Sequence, residues 1–86
     1  MKKICLVEDE ESLSELIKMN LELEGYAVET IVHGTEAFLR APQMDEFDLI
    51  ILDVMLPEVS GLTVCREIRK YSKVPVLFLS AKGTTD

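Results

Sequence analysis

Basic residues are scarce in this chain. Nine Lys and Arg stand against sixteen Asp and Glu, for a net charge of −7. Phosphate backbones are held by clustered cations, so this balance argues against nucleic-acid binding by the domain. The basic residues are scattered except for Arg66, Arg69 and Lys70, which fall on one predicted helix and read as a solvated face. Cysteine is rarer still. Cys5 and Cys65 each sit among apolar neighbours, which predicts buried free thiols and a cytoplasmic setting. No apolar run approaches the roughly 20 residues that a membrane span requires. An N-terminal export signal is also missing: Lys2-Lys3 precede a short apolar run that is broken at Glu8. Repeats, low-complexity tracts and linkers are absent, so the 86 residues make one small domain at most. A core at this length is thin, and the fold is expected to be marginally stable alone. What is present, 48% apolar and 29% charged residues, is the composition of a soluble globular chain rather than a disordered one.

Strand and helix signals alternate along the chain. Lys3 to Val7 is rich in β-formers and reads as a buried strand. Ser12 to Glu24 follows with Leu13, Leu16, Ile17 and Leu21 at helical spacing, and Gly25 stands where a helix C-cap would. Tyr26 to Thr30 reads as a second strand. Gly34 to Arg40 is a short helix stopped near Pro42. Asp48 to Leu52 is a third strand, Ser60 to Tyr71 a third helix with Val64, Cys65 and Ile68 inward, and Pro75 to Leu79 a fourth strand. Met19, Met44 and Met55 read as packing residues, and His33 as an exposed loop residue. This β-α-β-α-β-α-β order predicts a parallel sheet with helices on both faces. The runs Ile-Ile-Leu and Val-Leu-Phe-Leu are consistent with strands buried on both sides.

Two of these strands end in acid. Glu8-Asp9 closes the first, and Asp53 closes the third, followed at once by the Pro-containing run Val-Met-Leu-Pro-Glu-Val-Ser-Gly61. In an open α/β sheet, ligands bind outside the carboxyl ends of the strands. If the two strands are neighbours, three carboxylates converge there. Such a cluster repels itself unless a cation neutralises it, and hard oxygen donors suit Mg²⁺. Taken alone, an Asp after a strand reads as a turn residue or helix cap. Glu10 and Glu11 read as negative charge favoured at a helix N-terminus.

The constellation as a whole resembles the receiver domain of bacterial two-component response regulators. Three stretches carry the resemblance: Leu-Val-Glu-Asp-Glu (6 to 10), Leu-Asp-Val-Met-Leu-Pro-Glu-Val-Ser-Gly (52 to 61) and Val-Pro-Val-Leu-Phe-Leu-Ser-Ala (74 to 81). It spans the entire chain. The resemblance implies a flavodoxin-like, doubly wound parallel sheet with strand order 2-1-3-4. It implies that Asp53 is the phosphoacceptor, taking a phosphoryl group from a phosphohistidine on a sensor histidine kinase or phosphotransfer protein. Asp9 and Asp53 would bind Mg²⁺ directly with the backbone carbonyl of Met55, and Glu8 would act through water. Ser80 would contact the phosphoryl oxygens and report phosphorylation, and Ala81 would leave room for the group.

The family fold has five strands and five helices, whereas this chain stops after the fourth strand. The fourth helix, fifth strand and fifth helix are expected to be missing, and with them a Lys that pairs with the phosphoryl group. Residues 1–86 thus read as a C-terminally incomplete receiver domain, whether a fragment of a longer regulator, a naturally short form or a product of proteolysis, and the stop in Gly83-Thr84-Thr85-Asp86 favours the fragment. Lys82, on a loop, is a poor substitute for the missing Lys. Three functions follow. The first is a phosphoacceptor that switches conformation. The second is a non-switching interaction or assembly piece. The third is an Mg²⁺-dependent phosphatase, which is disfavoured because position 55 is Met where those enzymes carry a second Asp. The fourth strand becomes an open, apolar edge, so self-association through it is expected.

Overall fold

The protein is described here by a computed structural model covering residues 1–79. Strand β1 (Lys3–Val7) leads into helix α1 (Glu11–Leu23), strand β2 (Ala27–Ile31) and helix α2 (Gly34–Leu39). A 3₁₀ segment over Ala41–Glu46 precedes strand β3 (Leu49–Asp53), helix α3 (Gly61–Ile68) and strand β4 (Val76–Leu79). The sheet order is β2-β1-β3-β4, and every pairing is parallel. The predicted fold class and strand order therefore hold.

Strands β1 and β3 lie in the middle and are buried from end to end, apart from their first residues. Their alternate side chains enter two separate cores. On one face Cys5, Val7, Ile50 and Leu52 meet Ala37 of α2, Ala41 and Met44 of the 3₁₀ segment, and Val64 and Ile68 of α3. On the other face Ile4, Leu6 and Ile51 meet Ile17 and Leu21 of α1. Helices on both faces explain why β1 and β3 are continuously apolar rather than alternating. Burial pushes the Cys5 thiol up to about 12, with the nearby Glu29 carboxylate adding to the effect, so Cys5 stays protonated and packs as a hydrophobe. Cys65 is half-buried, and both cysteines are free thiols.

Local chemistry sets the element ends. Gly25 adopts φ of +96° beyond α1, and the chain then rejoins the sheet through Ala27 N–H to the Lys2 carbonyl at 2.9 Å. Ser60 caps α3 by accepting Leu62 N–H at 3.1 Å. Beyond α3, Arg69 donates to the carbonyls of Ser72 and Val74 and fixes the approach to β4. Lys70 pairs with Glu67, and Arg66, Arg69 and Lys70 are all exposed, so this basic cluster is a solvated face.

The structure departs from expectation in four places, the first being β4, where Leu77 and Phe78 are exposed rather than buried on both sides. Residues 41–46 form a 3₁₀ helix with Pro near its first position, where the sequence suggests only a stop. Leu13 and Leu16 of α1 are 38% and 52% exposed, because α1 rests mainly on β2 and β1 and covers only part of the sheet face. Met44 is packed as expected, but Met19 and Met55 are exposed rather than core residues.

Candidate metal and phosphoryl site

Parallel pairing of β1 with β3 sets Val7 opposite Leu52, so the residues that follow each strand end share one edge of the sheet. The carboxylate oxygens of Glu8, Asp9 and Asp53 lie within 4.8 Å of one another there. Glu8 and Asp53 are buried, at 4% and 3% exposure, while Asp9 is open to solvent. The Glu8 amide extends the β1–β2 ladder by donating to the Ile31 carbonyl, and its carboxylate accepts Glu10 N–H at 3.1 Å. Asp53 Oδ1 accepts the Met55 N–H at 3.0 Å. That bond is a turn closed by the Asp side chain, so the turn reading of Asp53 and the site reading describe the same geometry.

The electrostatics are one-sided. Among the described residues no Lys, Arg or His pairs with any of the three carboxylates. Burial holds the Glu8 carboxyl above the usual carboxylate range, and the negative charges of Asp53 and Asp9 push the same way. The Glu10 amide opposes them. A like-charged set made only of oxygen donors, two of its three carboxylates buried, fits a hard divalent cation, and Mg²⁺ matches that donor chemistry.

The loop after Asp53 is held tightly to the sheet. Val54 N–H donates to the Leu79 carbonyl at 3.2 Å, and Gly61 N–H donates to the Val54 carbonyl at 3.0 Å. A Cβ placed on Gly61 would overlap the Asp53 carbonyl oxygen. Glycine at 61 is therefore required by the close approach of α3 to the strand end that carries Asp53. In the sequence Gly61 only ends the Pro-containing run and carries no separate signal of this packing.

Of the residues singled out in the sequence, the structure brings Glu8, Asp9 and Asp53 together, with the Met55 amide on the Asp53 carboxylate. Ser80, Ala81 and Lys82 lie outside the described residues. His33 is exposed, with Nδ1 3.9 Å from Glu58.

This parallel sheet with an acidic set at the ends of β1 and β3 defines a receiver module. The description "Response regulator receiver domain" matches residues 4–86, and the chain belongs to that family. It is 46% identical over 86 residues to the phosphate regulon transcriptional regulatory protein PhoB of Rhizobium meliloti, covering 96% of this chain and 37% of that protein. The chain thus spans little more than a third of that relative. The response regulator protein TrrA of Thermotoga maritima, solved in complex with Mg(2+)-BeF, superposes with a TM-score of 0.84 at 43% identity, covering 94% of this chain and 70% of that one. A second structure, histidine kinase ThkA in complex with TrrA, matches with a TM-score of 0.84 at 40% identity, over all of this chain and 76% of that one.

Proposed function

We propose that this chain is an Mg²⁺-dependent phosphoacceptor module, phosphorylated on Asp53. The observation that carries the reading is the buried Asp53 carboxylate at the end of β3, within 4.8 Å of the Glu8 and Asp9 oxygens and fixed by the Met55 amide. Asp9 and Asp53 are the proposed direct ligands, with the Met55 carbonyl as a third and Glu8 acting through water. Bound Mg²⁺ would supply the positive charge that a carboxylate needs to approach an anionic phosphoryl group. An Asp53 oxygen then attacks phosphorus, the bond from phosphorus to the donor breaks, and the leaving donor keeps the electron pair. The product is an acyl phosphate on Asp53. Ser80 and Ala81 are proposed to contact and accommodate the phosphoryl group.

The proposed donor is a histidine kinase or phosphotransfer protein, and the proposed setting is the cytoplasm; the complex of TrrA with a histidine kinase supports the kinase as donor. The chain acts as acceptor rather than as a turnover enzyme, in line with Met55 standing where a phosphatase would place a second carboxylate. We also propose that residues 1–86 are a receiver unit capable of self-association through β4. No helix among the described residues is long and apolar enough to cross a membrane.

The test is direct. With Mg²⁺ and acetyl phosphate, intact-mass measurement should show one added phosphoryl group, mapped to Asp53 and absent in Asp53→Asn. Mg²⁺ and beryllofluoride should perturb resonances near Asp9, Asp53 and Met55. In Asp53→Asn, Mg²⁺ affinity should fall by at least about tenfold. An adduct confined to Ser80 or Thr84, or an unchanged Mg²⁺ affinity in Asp53→Asn, would remove Asp53 from this role.

A further inference from the structure

The loop of residues 54–60 carries Met55, whose amide orients the Asp53 carboxylate. Met55 is itself 59% exposed, so its own side chain does little to hold it. What fixes the loop lies further on, at Leu56 and Val59. Leu56 is buried in the larger core, and Val59 packs against that core. Both rest on Gly34, the first residue of α2. A Cβ built on Gly34 would sit 2.8 Å from Val59 Cγ1, 3.0 Å from the Val59 carbonyl oxygen and 3.1 Å from Leu56 Cδ1. The backbone of Gly34 does not require glycine, because among the described glycines only Gly25 has a positive φ. Helix formation does not favour it either, since glycine is a poorer helix former than alanine. The remaining reason is space: the loop comes down onto the α2 backbone where a side chain would stand.

We infer that Gly34 is a positioning residue for the acceptor site, acting through the seat it gives Val59 and Leu56. The inference rests on the proposed role of Asp53 and the Mg²⁺ set. The seat sets the height of the loop over the sheet, and the loop sets the Met55 amide against Asp53 Oδ1. A methyl at position 34 meets backbone as well as side chain at Val59, so rotation of a side chain cannot absorb it. The loop has to lift by a few tenths of an ångström or more. It is tied to the sheet at Val54 and to α3 at Gly61, so the displacement falls on the stretch between them, which includes Met55.

The experiment is an NMR-monitored Mg²⁺ titration of the full chain and of Gly34→Ala, Val59→Ala, the double variant and Gly25→Ala. Gly34→Ala should weaken Mg²⁺ by about tenfold, the scale of a lost supporting contact at a metal site, and should shift the Met55 amide resonance before any metal is added. Val59→Ala removes the contact from the loop side and should weaken Mg²⁺ by a smaller factor. In the double variant the contact with Val59 Cγ1 is relieved while that with the Val59 carbonyl remains, so affinity should recover only part of the loss. Gly25→Ala strains a left-handed position far from the loop, so it should lower the urea midpoint and leave Mg²⁺ affinity alone. Native Mg²⁺ affinity and an unshifted Met55 amide in Gly34→Ala would overturn the inference while leaving the role of Asp53 standing. If Gly34→Ala does not fold, Val59→Ala decides: unchanged affinity overturns the inference and weakened affinity supports it. Absence of any Mg²⁺ response at Asp53 in the native chain would overturn the parent reading, and the positioning role with it.

Discussion

At Glu8 a carboxylate is buried beside two others, and the cost is measurable. Its folded-state acidity is weakened by burial first and by the Asp53 and Asp9 charges next. Between the ordinary Glu value and the raised folded value, the folded chain binds more protons than the unfolded one. The Glu8 contribution to stability therefore falls as pH rises through that window and recovers as pH drops back through it. Glu8→Gln removes the burden. Without Mg²⁺ this variant should have a higher urea midpoint than the native chain at neutral pH, and the gap should narrow as pH falls through the mildly acidic range. Its Mg²⁺ affinity should drop by about tenfold. A constant gap across pH, or none, would show that Glu8 carries no such penalty. The convergence of Glu8, Asp9 and Asp53 was legible in the sequence, because each acid ends an apolar run and the alternating pattern places those ends on one edge. A turn at Asp53 was legible too, as an Asp after a strand, but its partner, the Met55 amide, was not. The seat of Leu56 and Val59 on Gly34 was not. That contact joins residues more than twenty positions apart and leaves no local mark, since glycine at a helix start is unremarkable in a sequence.

Among the elements, the junction of β3 and α3 concentrates the most structure in the fewest residues. Ser60 caps the helix and Gly61 lets it start against the Asp53 carbonyl. The two should differ in cost. Ser60→Ala loses one side-chain bond to a helix amide and should destabilise by about 1 kcal/mol. Gly61→Ala forces a Cβ onto backbone and should cost about 1–3 kcal/mol, as overpacking does. Chemical unfolding orders them, and the prediction fails if Ser60→Ala is the more damaging. Strands and helices themselves were readable from periodicity, with ends displaced by a residue or a few. The 3₁₀ segment was not, because six residues with a Pro near the start offer no helical period, although Ala41 and Met44 are fully buried. Helix α1 was over-read in the other direction. Its stripe of Leu13, Leu16, Ile17 and Leu21 is wider than the sheet surface beneath it, and periodicity measures the stripe rather than what covers it.

Across the whole molecule, burial is uneven from one side of the sheet to the other. The face over α2 and α3 is closed by a large continuous core, whereas the α1 face has a small one. On the α1 side, Ile4, Leu21, Leu49, Ile51 and Leu77 border a groove of about 400 Å³. Leu77 and Phe78, on opposite faces of β4, are 53% and 40% exposed. Among the described residues β4 pairs with β3 alone, so its other side presents backbone donors and acceptors that need water or a partner. An apolar edge of this kind templates pairing between chains. Covering a few such side chains contributes several kcal/mol at roughly 25 cal/mol per Å², before the cost of association is subtracted. The 86-residue polypeptide is therefore expected to form dimers or larger species through β4 as concentration rises, seen as an increase in sedimentation coefficient. Leu77→Lys places a charge on that strand where the native side chain is already half in water. It should abolish association while leaving the unfolding midpoint and the Mg²⁺ response of Asp53 close to native. If the native chain remains monomeric at high concentration while the β4 amides resist hydrogen exchange, the edge is satisfied within one molecule and association is not how this sheet completes itself.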